Sequence, residues 1–163
     1  MKPMQLFIMP SPNLPVDKAH RLVPVVCQKI MRKCRIVIID DDPSIRQAFT
    51  WALQDLDCEV IASSHMADAL SQMMRMEFVP DAVIADYHLD SEISGLKVIR
   101  LFRLLFRVDL PAVVITGDTS ATGLAGPDEG IRWLFKPVGY TGLAGLVDNF
   151  RITMERIPVV AEI

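Results

Sequence analysis

Residues 36–43, Ile36-Val37-Ile38-Ile39-Asp40-Asp41-Asp42-Pro43, set an unbroken apolar run directly against three carboxylates. Consecutive β-favouring residues without polar alternation describe a strand buried on both faces, as in a parallel sheet. Carboxylates crowded at the end of such a strand repel one another, and the arrangement costs stability unless something positive sits among them. Two readings stay open on this segment alone. In one, an aspartate caps the helix that Pro43 begins and the others are solvated. In the other, the group holds Mg2+, a hard cation that prefers oxygen ligands.

The 163 residues suit one domain with a real core, with room for a tail. A formal charge of −3 and a pI near 5.6 supply no basic field for nucleic acid or an anionic membrane. Hydrophobic residues make up 51% and mean hydropathy is +0.31, yet the apolar runs fall far short of the ~20 residues that span a bilayer. No membrane segment is expected. Pro3, Pro10, Pro12 and Pro15 break up the N-terminal apolar stretch, which argues against a signal peptide. Cys27, Cys34 and Cys58 are odd in number and lack metal-type spacing, so reduced thiols in a cytoplasmic protein are expected.

Residues 1–33 read as an N-terminal tail or linker, with prolines from Pro3 to Pro24, room for a short helix at Val25–Met31, and the basic residues Lys29, Arg32, Lys33 and Arg35 at its end. Residues 34–156 form the expected domain, and 157–163 a C-terminal tail. Within the domain, strands are expected at Arg35–Ile39, Cys58–Ala62, Ala82–Ala85, Ala112–Ile115 and Ile131–Phe135. Helices should begin at Pro43 with Asp42 as N-cap, cover Ala67–Met76, run from Gly95 to about Arg107, and start again near Tyr140. Ile45, Ala48, Phe49, Ala52, Leu53 and Leu56 mark the inner stripe of the first helix, and Leu70, Met73 and Met74 the core filler of the second. Leu143, Leu146, Val147 and Phe150 share a face of the last. This alternation argues for an α/β fold, a doubly wound five-stranded parallel sheet with helices on both faces.

Each conspicuous polar residue occupies the same place in its unit. Asp40-Asp41 end the first strand, Asp86 the third, Thr116 the fourth and Lys136 the fifth. Singly they have ordinary readings, as turn, cap or surface residues. Ligands of open α/β sheets bind outside the carboxyl ends of the strands, so these side chains should converge.

The pieces IVIIDDDPSIR (Ile36–Arg46), VIADYHL (Val83–Leu89) followed by Gly95-Leu96, VVITGDTS (Val113–Ser120) and FKPV (Phe135–Val138) resemble the receiver domain of bacterial two-component response regulators. DYHL, TGDTS and LFKPV are similar to receivers attached to hybrid sensor histidine kinases. The resemblance implies a flavodoxin-like sheet of order 2-1-3-4-5 and a phosphorelay function. It implies that Asp86 is the phosphoacceptor, taking a phosphoryl group from a histidine kinase or histidine phosphotransfer protein. It implies that Asp40, Asp41, Asp86 and the backbone carbonyl of His88 hold Mg2+, and that Lys136 and Thr116 bind phosphoryl oxygens. Asp42 has no such role, and Gly117 is small enough to leave the acceptor open. The switch would pair Thr116 with an aromatic on the fifth strand, here Trp133 in place of the usual Tyr or Phe; a half-exposed core tryptophan is the other reading. No organic cofactor and no DNA-binding domain are expected, since only IPVVAEI follows the last helix.

Three departures stand out. Gly123, Gly126 and Pro127 fall where a helix between the fourth and fifth strands would lie, and Gly costs about 1 and Pro about 3 kcal/mol inside a helix, so that helix should be short, frayed or missing. Ser91-Glu92-Ile93-Ser94 replaces a Pro-containing turn, and His88 and Asp118 flank the acceptor. In the third helix, Ile99, Phe102 and Phe106 make a core stripe. Leu101, Leu104 and Leu105 beside the line Arg100, Arg103 and Arg107 widen it into a broad core contact or an exposed patch for a partner or homodimer. A signalling module is expected rather than a turnover enzyme, because no D-x-D pair of the haloacid-dehalogenase type precedes a nucleophile. A phosphorylation-independent interaction module is the alternative.

Overall fold

The computed structural model describes residues 33–89, 93–118 and 130–156. The expected tails, save Lys33, lie outside the described residues, as do the Val25–Met31 helix, Cys27, Ser91-Glu92 and the segment 119–129 with its glycines and proline.

Among the described residues nine elements follow in order: β1 (Cys34–Ile39), α1 (Pro43–Asp55), β2 (Cys58–Ser63), α2 (Met66–Met76), β3 (Ala82–Asp86), α3 (Gly95–Phe106), β4 (Ala112–Thr116), β5 (Ile131–Phe135) and α4 (Tyr140–Arg156). The strands form one parallel sheet of order β2-β1-β3-β4-β5. Central strands β1, β3 and β4 are apolar and buried along almost their whole length, while edge strands β2 and β5 alternate with exposed positions such as Glu59 and Arg132.

Strand alternation divides the core in two. Val37, Ile39, Val83, Ala85 and Val114 face α2 and α3, meeting Ala69, Met73, Leu96, Ile99 and Phe102. Ile36, Ile38, Ile84, Val113 and Ile115 face α1 and α4, meeting Phe49, Leu53, Leu143, Leu146, Val147 and Phe150. Each fully buried Val, Leu, Ile, Phe or Met among them contributes about 1.5–3 kcal/mol of transfer free energy. No described helix is long and apolar enough to cross a membrane, and Cys34 and Cys58 are free thiols.

Some expected core positions do not reach the sheet. Ala48 is exposed, because the inner stripe of α1 centres on Phe49 and Leu53. Met74 is 74% exposed; Ala69 and Met73, with half-buried Leu70, are the inward residues of α2. The broad core contact expected of α3 is absent. Leu96, Val98, Ile99 and Phe102 satisfy the sheet, with Phe106 half-buried beside them, and Leu101, Leu104 and Leu105 point to solvent.

Candidate functional site

Strand register brings the site together. Ile39 pairs with Ala85, so the next rung places Asp40 beside Asp86 at the carboxyl ends of β1 and β3. Asp86 pairs with Ile115, which puts Thr116 one step further, and Thr116 pairs with Phe135, which puts Lys136 next. The Lys136 N–H donates to the Thr116 carbonyl at 2.9 Å, extending the ladder one residue past the strand. The chain turns to opposite sides of the sheet between β1 and β3, and a crevice opens at that point in such folds.

Asp40, Asp41 and Asp86 each offer a carboxylate oxygen, and the three oxygens lie within 4.8 Å of one another. Asp40 and Asp86 are buried, Asp41 half-buried. Lys136 Nζ donates to Asp86 Oδ2 at 2.8 Å and to Asp40 Oδ2 at 3.4 Å. Burial would lower the ammonium's pKa, but the hydrogen bond to Asp86 and the charges of Asp40 and Asp86 outweigh it and raise the pKa above its ordinary value. Burial pushes the Asp40 carboxyl up, and the Asp86 charge adds to this; the Asp42 N–H and Lys136 pull only part of the way back.

The neighbouring backbone holds these groups in place. The Asp42 N–H donates to Asp40 Oδ1 at 2.9 Å, and the Arg46 guanidinium donates to the Asp40 carbonyl at 2.7 Å. Asp42 itself points away, its Oδ1 accepting from the N–H groups of Ser44 and Ile45 as the N-cap of α1. Those bonds hold its carboxyl below the usual range. On the far side, the Gly95 N–H donates to the Tyr87 carbonyl at 3.1 Å, and a Cβ on Gly95 would overlap the Asp86 carbonyl oxygen. Only glycine allows α3 to start this close to the acidic strand end.

Thr116 is fully buried, and its Oγ1 accepts from the Asp118 N–H at 3.0 Å, which leaves the hydroxyl proton to donate elsewhere. His88 carries an exposed ring whose Nε2 is 4.0 Å from Asp118 Oδ2, so the residues after β3 and β4 approach each other above the site. Gly117 stands in open space, where a Cβ would meet nothing within 4 Å among the described residues. Trp133 is half-buried, 5.5 Å from the Tyr87 ring, and its Nε1 is a buried donor without a partner among the described residues.

A family model of the response regulator receiver domain matches residues 36–145. The chain belongs to the receiver domain family. Solved receivers share its fold. A response regulator receiver domain protein from Clostridium thermocellum is 22% identical, with a TM-score of 0.65 over 75% of this chain and 97% of that one. The chemotaxis response regulator CheY4 of Vibrio cholerae is 25% identical, with a TM-score of 0.60 over 72% and 98%. A sensor protein from Polaromonas sp. JS666 is 26% identical, with a TM-score of 0.62 over 74% and 98%. No curated protein matches the chain.

In this receiver, Asp40, Asp41, Asp86 and Lys136 form one cluster. Thr116 lies on the adjoining strand end, Trp133 packs behind it on β5, and His88 sits at the rim with its side chain in solvent. Sequence reading missed the supporting residues. Arg46 lay inside a quoted motif, but its reach to the Asp40 carbonyl leaves no local pattern. Gly95 was read as the start of a helix, but its close approach to the Asp86 carbonyl leaves no local pattern either. The donor set is all oxygen, and three carboxylates face one ammonium. That charge excess and ligand hardness fit a divalent cation such as Mg2+.

Proposed function

We propose that the chain is a phosphorelay receiver in which Asp86 accepts a phosphoryl group from the phosphohistidine of a kinase or phosphotransfer protein. The observation that carries this is Lys136 shared between Asp86 and Asp40 within a three-carboxylate cluster at the strand ends. An Asp86 carboxylate oxygen attacks phosphorus in line and the P–N bond breaks. The donor imidazole, protonated on its other nitrogen, leaves as a neutral ring with the bonding pair, and an acyl phosphate forms on Asp86. Such transfer depends on positioning and charge neutralisation. Lys136 is placed to follow the charge from the carboxylate onto the phosphoryl oxygens, as a point charge, while the free hydroxyl proton of Thr116 serves another oxygen. Asp40, Asp41, Asp86 and the His88 carbonyl would hold Mg2+, which when bound neutralises phosphoryl charge.

The protein acts as a cytoplasmic signalling module and not as a turnover enzyme. The acyl phosphate carries roughly −1.5 to −2 charge and three acceptor oxygens at the sheet edge, where the carboxylate carried −1. Drawing Thr116 toward it opens space beside β5 that Trp133 can enter. The bulk of the indole and its packing on Tyr87 oppose that movement. Its N–H, without a partner among the described residues, favours it, since a buried donor left unpaired costs about 1–3 kcal/mol. The motifs DYHL, TGDTS and LFKPV support a receiver of the kind found in hybrid kinases.

Incubation with acetyl phosphate and Mg2+, followed by intact-mass measurement, tests the reading. One phosphoryl adduct is expected on the wild type and none on Asp86→Asn or without Mg2+. Absence of an adduct, with beryllofluoride leaving Trp133 fluorescence unchanged in a Trp51→Phe background, would favour a phosphorylation-independent interaction module. Release of many equivalents of inorganic phosphate would instead mark a turnover enzyme.

A further inference from the structure

The outer face of α3 is built for contact. Leu101, Leu104 and Leu105 are 36%, 75% and 56% exposed, and Val108 just past the helix is 51% exposed. The i, i+3, i+4 spacing of Leu101, Leu104 and Leu105 makes a single ridge on the side away from Ile99 and Phe102, which already satisfy the sheet, and Val108 follows it after the left-handed Arg107. The ridge therefore adds nothing to the core. Arg100 and Arg107 are exposed along one edge of it, and Lys97 lies at its N-terminal end. Between them Arg103 is held by two hydrogen bonds to the Leu110 carbonyl, at 3.0 and 2.9 Å, which fixes the line of this edge.

We propose that this face docks an amphipathic helix of a partner protein, with apolar residues at matching spacing and acidic residues along one edge. A helix laid on a ridge of this length is read through i, i+3, i+4 and i+7 anchors, and the one-sided basic line selects its orientation and sign. A second copy of this chain fits less well. A twofold axis pairing α3 antiparallel with itself sets the arginine edge against the same arginines, and like charges across an interface are disfavoured. An anionic membrane also fits less well. An interfacial helix carries basic residues around its polar face, whereas here they lie on one edge of a chain with formal charge −3. The proposal does not rest on phosphorylation of Asp86, since the ridge lies beyond the first turn of α3 that abuts the acidic strand end.

The test is selection of a helix-constrained random peptide library against the full chain, with counter-selection on a Leu104→Gln/Leu105→Gln variant. Both leucines are exposed, so the variant should fold, and an unchanged melting curve verifies this. Enriched peptides are expected to carry apolar residues at i, i+3, i+4 and i+7 and Asp or Glu on one flank. Their binding should weaken at least 10-fold on the variant, and Arg100→Glu/Arg107→Glu should switch the selected flank to Lys or Arg. Enrichment without that pattern, or equal binding to the variant, overturns the proposal. A wild-type mass that doubles with concentration and returns to one chain in the variant assigns the face to a second copy and overturns it. Co-sedimentation of the wild type, but not the variant, with phosphatidylserine–phosphatidylcholine vesicles overturns it in favour of a membrane.

Discussion

Replacing Lys136 by methionine removes the cation that holds the acidic cluster together, and the consequence for stability can be worked from the geometry. At an effective dielectric of about 20, a unit pair at the Lys136–Asp86 separation of 2.8 Å attracts by about 6 kcal/mol, and at the 3.4 Å of Asp40 by about 5. Each carboxylate pair within 4.8 Å repels by at least about 3.5 kcal/mol on the same scale. Deleting the lysine also removes its desolvation cost, and the side chain is 26% exposed, so water reduces the net loss. Breaking a buried pair typically costs about 3–5 kcal/mol; the lower end suits this exposure and corresponds to a fall in Tm of about 6–12 °C.

The pH dependence carries the sharper signature. In the wild type, Lys136 is raised above its ordinary 10.5, so its contribution is fully present below that value and lost only as pH rises through the folded pKa. From pH 5 to 8 that contribution is flat. Asp40 is already raised by burial, and without Lys136 it loses both the hydrogen bond and the opposite charge, so its folded pKa climbs further. Between the unfolded and the raised folded value the native state binds more protons than the unfolded one, and stability falls as pH rises. Lys136→Met should therefore lose stability more steeply than the wild type as pH rises above the ordinary aspartate value towards the raised folded one. Melts followed by circular dichroism with EDTA, then with Mg2+, read this directly. Metal at 100 times its Kd adds about 2.7 kcal/mol, and the rescue should be larger in the variant, whose cluster is more negative. A variant that is as stable as the wild type at every pH, or whose stability falls with rising pH no more steeply than the wild type's, refutes the reasoning.

Gly95→Ala sets a Cβ against the Asp86 carbonyl, and overpacking against backbone costs about 1–3 kcal/mol; Tm should fall and acetyl phosphate labelling of Asp86 should slow, both read on one preparation. Asp42→Ala removes the N-cap of α1 but no member of the cluster, so it should lower Tm by a few degrees with labelling retained. Because the Asp42 pKa is depressed, its share of stability is present above the usual aspartate value and lost as pH falls through the folded one; melts below pH 4 should converge with those of the variant. Glu77 closes α2 with φ 50°, a left-handed conformation that costs a residue with a Cβ, so Glu77→Gly should leave Tm unchanged or raise it slightly.

Most of the fold was legible because buried parallel strands are apolar without alternation, and each of the five ends at a change of composition. The acidic site was legible for a related reason: Asp40, Asp86, Thr116 and Lys136 occupy equivalent places at strand ends, and parallel register turns equivalent places into neighbours. What stayed hidden depends on groups brought close from elsewhere in the chain. Arg46 on the Asp40 carbonyl and the Gly95 backbone on Asp86 are contacts whose partners are not spaced by any helical or strand period. The same limit explains α3. Periodicity identifies Leu101, Leu104 and Leu105 as one face, but a face packed on a sheet and a face open to solvent have the same period. The sheet had room for one stripe of α3, and Ile99 and Phe102 fill it to 0% exposure. A second leucine stripe on a helix whose core face is complete needs a reason outside the core, and its basic edge indicates the sign of the partner that would cover it.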